Sequence, residues 1–128
     1  THIWRWFIDL ELRPKLTKSQ MDSIVAHLEN CEAGVSVVSC WEIAKKVELG
    51  KLQLKYPVED WISMALSYPG IQLLNFTPQI AIESTKLPGS FHRDPMDQII
   101  VATARIYSCP LVTSDEKLLD YPYVTTIR

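Results

Sequence analysis

The chain has 128 residues, of which 47% are hydrophobic and 22% charged, as expected for one globular domain over residues 1–128. A net charge of −2 argues against a protein that binds nucleic acid through an overall positive field, although an enzyme could still meet RNA through a local basic rim. No apolar run approaches the roughly 20 residues that cross a bilayer, and no signal peptide is evident, so we expect a cytoplasmic domain.

The first half of the chain predicts helices separated by one short apolar strand. A helix is expected over residues 1–8, and a second begins at Thr17 or Ser19 and ends at Gly34. The β-branched run 35–38 predicts a buried strand. A third helix is expected to begin at Ser39 and to stop at Gly50.

The second half continues the alternation with more strands. Helices are predicted over 57–68, 78–87 and 94–107, with a helical turn over 116–119. Strands are predicted over 71–76, 111–113 and 124–127. Short apolar strands that alternate with helices predict an α/β fold, a three-layer α/β/α sandwich around a parallel sheet. Such a domain normally begins with a strand, so we expect the first strand to be missing from this sequence, which starts with a helix.

Acidic residues recur where the predicted helices begin. Asp94 and Asp97 stand at i and i+3 before the apolar run 99–104, and therefore share one helical face. Glu42 and Asp115 each follow a predicted strand, at the edge of a parallel sheet where ligands bind. Because like charges at close range need a cation between them, convergence of these acids would form a divalent metal site.

Each acid also has a purely structural interpretation. Ser39 and Glu42 match the S-x-x-E capping box, and Asp94 or Asp115 could simply cap a helix. Asp97 could favour the helix dipole, but an unpaired carboxylate beside so apolar a helix is costly. The histidine before this helix, His92, is expected in a surface loop, where it could contact phosphate.

Four ordered segments resemble the motifs of the PIN-domain family, and within it the VapC-like toxins of bacterial type II toxin–antitoxin systems. The resemblance covers almost the whole chain. It rests on residues 1–6, on 39–46 with 49–52, on 92–97 with 100–104, and on 111–119. In the family, a first aspartate precedes the first of these segments, so it would lie immediately before Thr1.

The resemblance implies a Mg²⁺- or Mn²⁺-dependent endoribonuclease. The acids of the family correspond to Glu42, Asp97 and Asp115, with Asp94 a frequent neighbour in this subgroup. Asp97, Asp115 and the first aspartate would hold the metal, and Glu42 would help to orient the attacking water. Oxygen ligands independently favour these hard cations over zinc.

Further expectations concern binding partners. The basic residues nearest the motifs are candidates for holding the RNA backbone: Arg93, Lys45, Lys46 and Lys117. The resemblance also implies a cognate antitoxin, whose C-terminal segment blocks the site, and a homodimer.

Two other function classes remain open. The first is a catalytically inactive PIN-like module that binds RNA or protein, and an aspartate directly before Thr1 would instead favour the enzyme. The second is a phosphorylation-receiver domain, which needs an acceptor aspartate at the end of a central strand. The strand over 71–76 offers Asn75 at that point, which argues against a receiver.

Overall fold

The computed structural model describes residues 1–128 and confirms the α/β class. None of its helices has both the length and the hydrophobicity of a membrane span. The helices are α1 (His2–Ile8), a 3-10 helix (Leu10–Lys15), α2 (Lys18–Glu29), α3 (Val37–Glu48), α4 (Val58–Leu66), α5 (Pro78–Ser84), α6 (Pro95–Ile106) and α7 (Glu116–Leu119). The strands are β1 (Ala33–Ser36), β2 (Ile71–Leu74), β3 (Leu111–Val112) and β4 (Thr126–Ile127).

The predicted boundary between the first strand and α3 is wrong by two residues. Ser36, not Ser39, caps α3, and its hydroxyl accepts a hydrogen bond of 3.2 Å from the backbone N–H of Val38. Ser39 is instead the third residue of the helix and is buried. The capping box predicted for Ser39 and Glu42 therefore does not form, because the helix has already begun at Val37.

The predicted end of α2 is also wrong. The helix stops at Glu29, where Asn30 is the C-cap and Cys31 turns the chain with a φ of 55°. Gly34 lies inside β1, where a Cβ atom would come within 2.6 Å of the Leu74 side chain. Gly34 thus makes room for the Leu74 side chain of β2 and does not mark a helix terminus.

The four strands form two separate parallel pairs in place of one continuous sheet. β1 pairs with β2, with Val35 opposite Leu73, and β3 pairs with β4. An apolar cavity of about 200 Å³ is lined by residues of both pairs. Trp4 and Phe7 of α1 also line it, so the first helix packs beside the cavity that separates the two pairs.

Three hydrophobic clusters set the relative positions of the helices that carry the acids. α3 contributes Ile43 to a cluster with Trp4 and Trp61. It contributes Val38 to a second cluster, which also contains Ile99 and Ala102 of α6 and Ile80 of α5. The third cluster joins Val101 of α6 to Leu118 of α7 and to Tyr121, which follows α7. The beginnings of α3, α6 and α7 are therefore held together by buried side chains.

Candidate active site

Three acidic side chains from distant parts of the chain lie on the side of the molecule where the chain begins, within electrostatic range of Thr1. The backbone nitrogen of Thr1 lies within electrostatic range of Glu42, Asp97 and Asp115. No set of three or more His, Cys, Asp or Glu side chains is close enough to hold a metal ion in this arrangement.

Glu42 lies in the second turn of α3 and is held by hydroxyl groups. The hydroxyl of Thr1 donates a hydrogen bond to Oε1 of Glu42. The same hydroxyl is 3.0 Å from the Oγ atom of Ser39, one helical turn earlier. Sequence reasoning missed these contacts because Thr1 is 38 and 41 positions away from its partners.

Asp97 is the third residue of α6, and its carboxylate is bound by a histidine. Nε2 of His92 is 2.7 Å from Oδ2 of Asp97. Asp94 performs the capping role, since its Oδ1 accepts from the backbone N–H of Met96 at 2.9 Å and from that of Asp97 at 3.4 Å. His92, for which a surface loop was predicted, therefore also binds the carboxylate of Asp97.

Asp115 caps α7 and follows a loop that is held by hydrogen bonds. Its Oδ1 accepts from the backbone N–H of Lys117 at 2.9 Å, and its own N–H donates to Oγ1 of Thr113 at 3.1 Å. Gln20, which is fully buried, donates its side-chain amide to the carbonyl oxygen of Thr113 and to Oγ of Ser114. Asp115 can therefore cap α7 through Oδ1 while its carboxylate lies within electrostatic range of Thr1.

The four basic candidates differ in their surroundings. Lys46 lies within electrostatic range of the Thr1 nitrogen and of His2, so it is beside the acids. Nζ of Lys45 is 2.6 Å from Oε1 of Glu48, in an ion pair on the surface of α3. The side chains of Arg93 and Lys117 are exposed.

His2 is a further titratable group beside the acids. Its pKa is lowered to about 4, chiefly because burial disfavours the charged ring. Asp115 opposes this shift, whereas Lys46 adds to it. The ring is therefore neutral at physiological pH.

The donor set suits a hard divalent cation. Each of the three carboxylates has one oxygen engaged within the chain: Oε1 of Glu42, Oδ2 of Asp97 and Oδ1 of Asp115. The second oxygen of each makes no hydrogen bond in the chain. Carboxylate oxygens are the ligands that Mg²⁺ and Mn²⁺ prefer, so the chemistry of these residues suits such an ion, whereas in this arrangement the three are too far apart to share one.

The chain is similar to known proteins in both sequence and fold. The PIN domain matches residues 1–122. Ribonuclease VapC22 of Mycobacterium tuberculosis is 30% identical over 118 residues, which cover 92% of this chain and 85% of that protein. The crystal structure of VapBC2 from Rickettsia felis bound to a DNA fragment from their promoter contains a similar chain, with a TM-score of 0.67 and 16% identity. That alignment covers 98% of this chain and 92% of the other.

Proposed function

The chain belongs to the PIN-domain family, and from this premise we propose that it is a divalent-metal-dependent endoribonuclease, the VapC-like toxin of a toxin–antitoxin pair. A relative named as a ribonuclease supports the reaction, since it matches nearly the whole chain. The similar fold of a chain in a VapBC complex supports the toxin–antitoxin context.

The observation that carries the proposal is that Glu42, Asp97 and Asp115, from three distant segments, all lie within electrostatic range of Thr1. Each keeps one oxygen free of hydrogen bonds, and drawing the three together would require a cation among them, because like charges repel. We assign these three residues to Mg²⁺ or Mn²⁺. The metal-ligand role of Asp94 stays a prediction, because its Oδ1 is already engaged in capping α6.

Each residue then has a distinct role in hydrolysis of an RNA phosphodiester bond. A divalent cation held by these acids would offset the negative charge that builds up on the phosphoryl oxygens during in-line attack. Glu42, whose Oε1 is held by Thr1, keeps one oxygen with which it would contact the cation or orient the attacking water. Lys46 holds the RNA backbone beside the acids, and Arg93 and Lys117 extend this basic rim.

The three acids also indicate which kind of side chain an antitoxin would need in order to block the site. A basic side chain placed among Glu42, Asp97 and Asp115 would neutralise them and exclude the cation. We therefore propose that the cognate antitoxin inserts such a side chain. Assembly as a homodimer and a location in the cytoplasm complete the proposal.

One observation favours a second candidate, a PIN-like module that binds RNA or protein without cleaving it. Each acid already accepts a hydrogen bond from its own chain: from Thr1, from His92 and from the backbone of Lys117. In the folded protein, one oxygen of each carboxylate is therefore hydrogen-bonded without a metal.

Cleavage of RNA with and without Mn²⁺ tests the proposal. We expect cleavage to require the metal and to fall about 100-fold or more in Asp97→Asn, since a ligand charge is lost. Asp60→Asn is the matched control, because Asp60 is an exposed acid in the first turn of α4. RNA binding without cleavage at any Mn²⁺ concentration, or full cleavage by Asp97→Asn, would refute the enzyme and favour the binding module.

A further inference from the structure

We propose that His92 is a positioning residue, which turns the carboxylate of Asp97 so that a single oxygen faces the cation. The inference rests on the proposed function, because it concerns the same metal site. It goes beyond that function by naming the residue that sets how Asp97 binds.

The contact between the two side chains is short and partly sheltered from water. Nε2 of His92 lies 2.7 Å from Oδ2 of Asp97, and the two side chains are only 23% and 20% exposed. The ring nitrogen donates and the ionised carboxylate accepts. Such a charge-assisted bond is stronger than one between neutral groups, and restricted access of water strengthens it further.

The ring of His92 is itself fixed by its neighbours. It stacks on Phe91 with ring centroids 4.3 Å apart, and Phe91 packs edge-on against Tyr121 at 4.8 Å. The hydroxyl of Tyr121 donates to the carbonyl oxygen of Pro88 at 2.6 Å. Nε2 of Gln98, in α6, donates to the carbonyl oxygen of His92 at 3.0 Å. The donor nitrogen is therefore held in place by both the loop and the helix.

The two carboxylate oxygens of Asp97 therefore differ in their hydrogen bonding. Oδ2 is taken by His92, and Oδ1 makes no hydrogen bond within the chain, so Oδ1 is the atom left to bind a cation. A histidine that holds one carboxylate oxygen limits rotation of the group and favours binding through the other oxygen. Hydrogen-bond partners that orient metal ligands in this way typically contribute about 10- to 100-fold to metal affinity.

The bond is not needed to build α6 or the loop. The first turn of α6 is capped by Asp94, which accepts from the backbone N–H groups of Met96 and Asp97. The loop is tied down separately, through Tyr121 and Gln98. Loss of the His92 donor should therefore affect the orientation of Asp97 far more than the fold.

Calorimetric titration with Mn²⁺ tests this role in the whole protein without reference to activity. His92→Phe keeps an aromatic ring against Phe91 but removes the donor, and we expect the Kd for Mn²⁺ to rise about 10- to 100-fold. His92→Gln retains an N–H donor at similar reach, and should restore most of the affinity. His27→Phe is the matched control, since His27 lies on α2 and bonds within that helix. It should bind Mn²⁺ like the wild type.

Each possible result has a clear meaning. If wild-type protein cleaves RNA with Mn²⁺ and His92→Phe keeps the wild-type Kd, the positioning role is overturned while the proposed function stands. If His92→Phe and His92→Gln are weakened equally, an N–H donor at this position does not restore the affinity and the inference is again overturned. If wild-type protein neither binds Mn²⁺ nor cleaves RNA, the proposed function itself falls, and the inference with it. Should His92→Phe fail to fold, as seen by circular dichroism, His92→Ala supplies the comparison.

Discussion

The hydroxyl of Thr1 donates a hydrogen bond to the carboxylate of Glu42, although 41 positions separate the two residues. The same hydroxyl contacts Ser39, so the start of the chain is tied to the first two turns of α3. The side-chain position of Glu42 therefore depends on a residue that no local sequence pattern connects with it.

Replacement of Thr1 by valine tests this dependence. Thr1→Val keeps the shape of the side chain and removes the donor to Glu42. We expect kcat for RNA cleavage to fall about tenfold, because a hydrogen bond to a charged group contributes about 1.5 kcal/mol. Thr85→Val is the control, since the exposed Thr85 bonds only to the carbonyl oxygen of Ile82. Equal kcat values for the two variants would contradict the role of Thr1.

Two adjacent lysines provide a matched test of the basic rim. Lys46 lies near the acids, whereas Lys45 is paired with Glu48. Lys46→Ala should raise the KM for RNA and reduce the slope of log affinity against log salt by about one, as expected for one lost phosphate contact. Lys45→Ala should leave both quantities close to wild type. The opposite ranking of the two variants would place the RNA on another face of α3.

The corrected cap of α3 predicts a stability effect. Ser36→Ala removes the side chain that accepts from the N–H of Val38, and should lower the free energy of unfolding by about 1 kcal/mol. Ser90→Ala, at an exposed loop position, is the control and should change it by less than about 0.5 kcal/mol. Urea denaturation measures both variants. A cost no greater for Ser36→Ala than for Ser90→Ala would contradict this cap.

The lowered pKa of His2 predicts a dependence of stability on pH. In the folded protein the ring takes up a proton only near pH 4, whereas its ordinary pKa is 6.5. Between these values the unfolded chain binds more protons, so stability falls as the pH drops from about 6.5 towards 4 and this loss is complete below that range. His2→Gln should remove this component. An NMR titration of the His2 ring that gave a pKa near 6.5 would contradict the burial argument.

Local signals in the sequence were sufficient for most helix beginnings. The capping box of Thr17 with Gln20 was found at one of the two predicted positions. The pair Asp94 and Pro95 begins α6 as expected. These signals work because a cap depends on residues within one turn of the helix.

The errors arose where tertiary packing overrides local preference. Val37 and Val38 are β-branched and favour a strand, yet they begin α3 because Val38 is buried against Ile99 and Ala102 of α6. The two strand pairs were predicted as one sheet because periodicity identifies strands without specifying which of them are neighbours.

The site shows the same division between local and distant information. Strand ends and family resemblance singled out Glu42, Asp97 and Asp115, and their joint approach to Thr1 depends on the packing of three helices. His92 was missed as a partner of Asp97 because the four intervening residues form a loop and a helix turn whose path the local pattern does not determine. The metal-binding roles themselves stay predictions.

Anomalous X-ray diffraction from crystals of the protein soaked in Mn²⁺ tests the central claim most directly, namely that acids from three distant segments share one cation. We predict a manganese peak in contact with carboxylate oxygens of Glu42, Asp97 and Asp115, with Oδ1 as the oxygen of Asp97. A saturating soak that left these oxygens without manganese, or that placed the metal on another part of the protein, would contradict the claim.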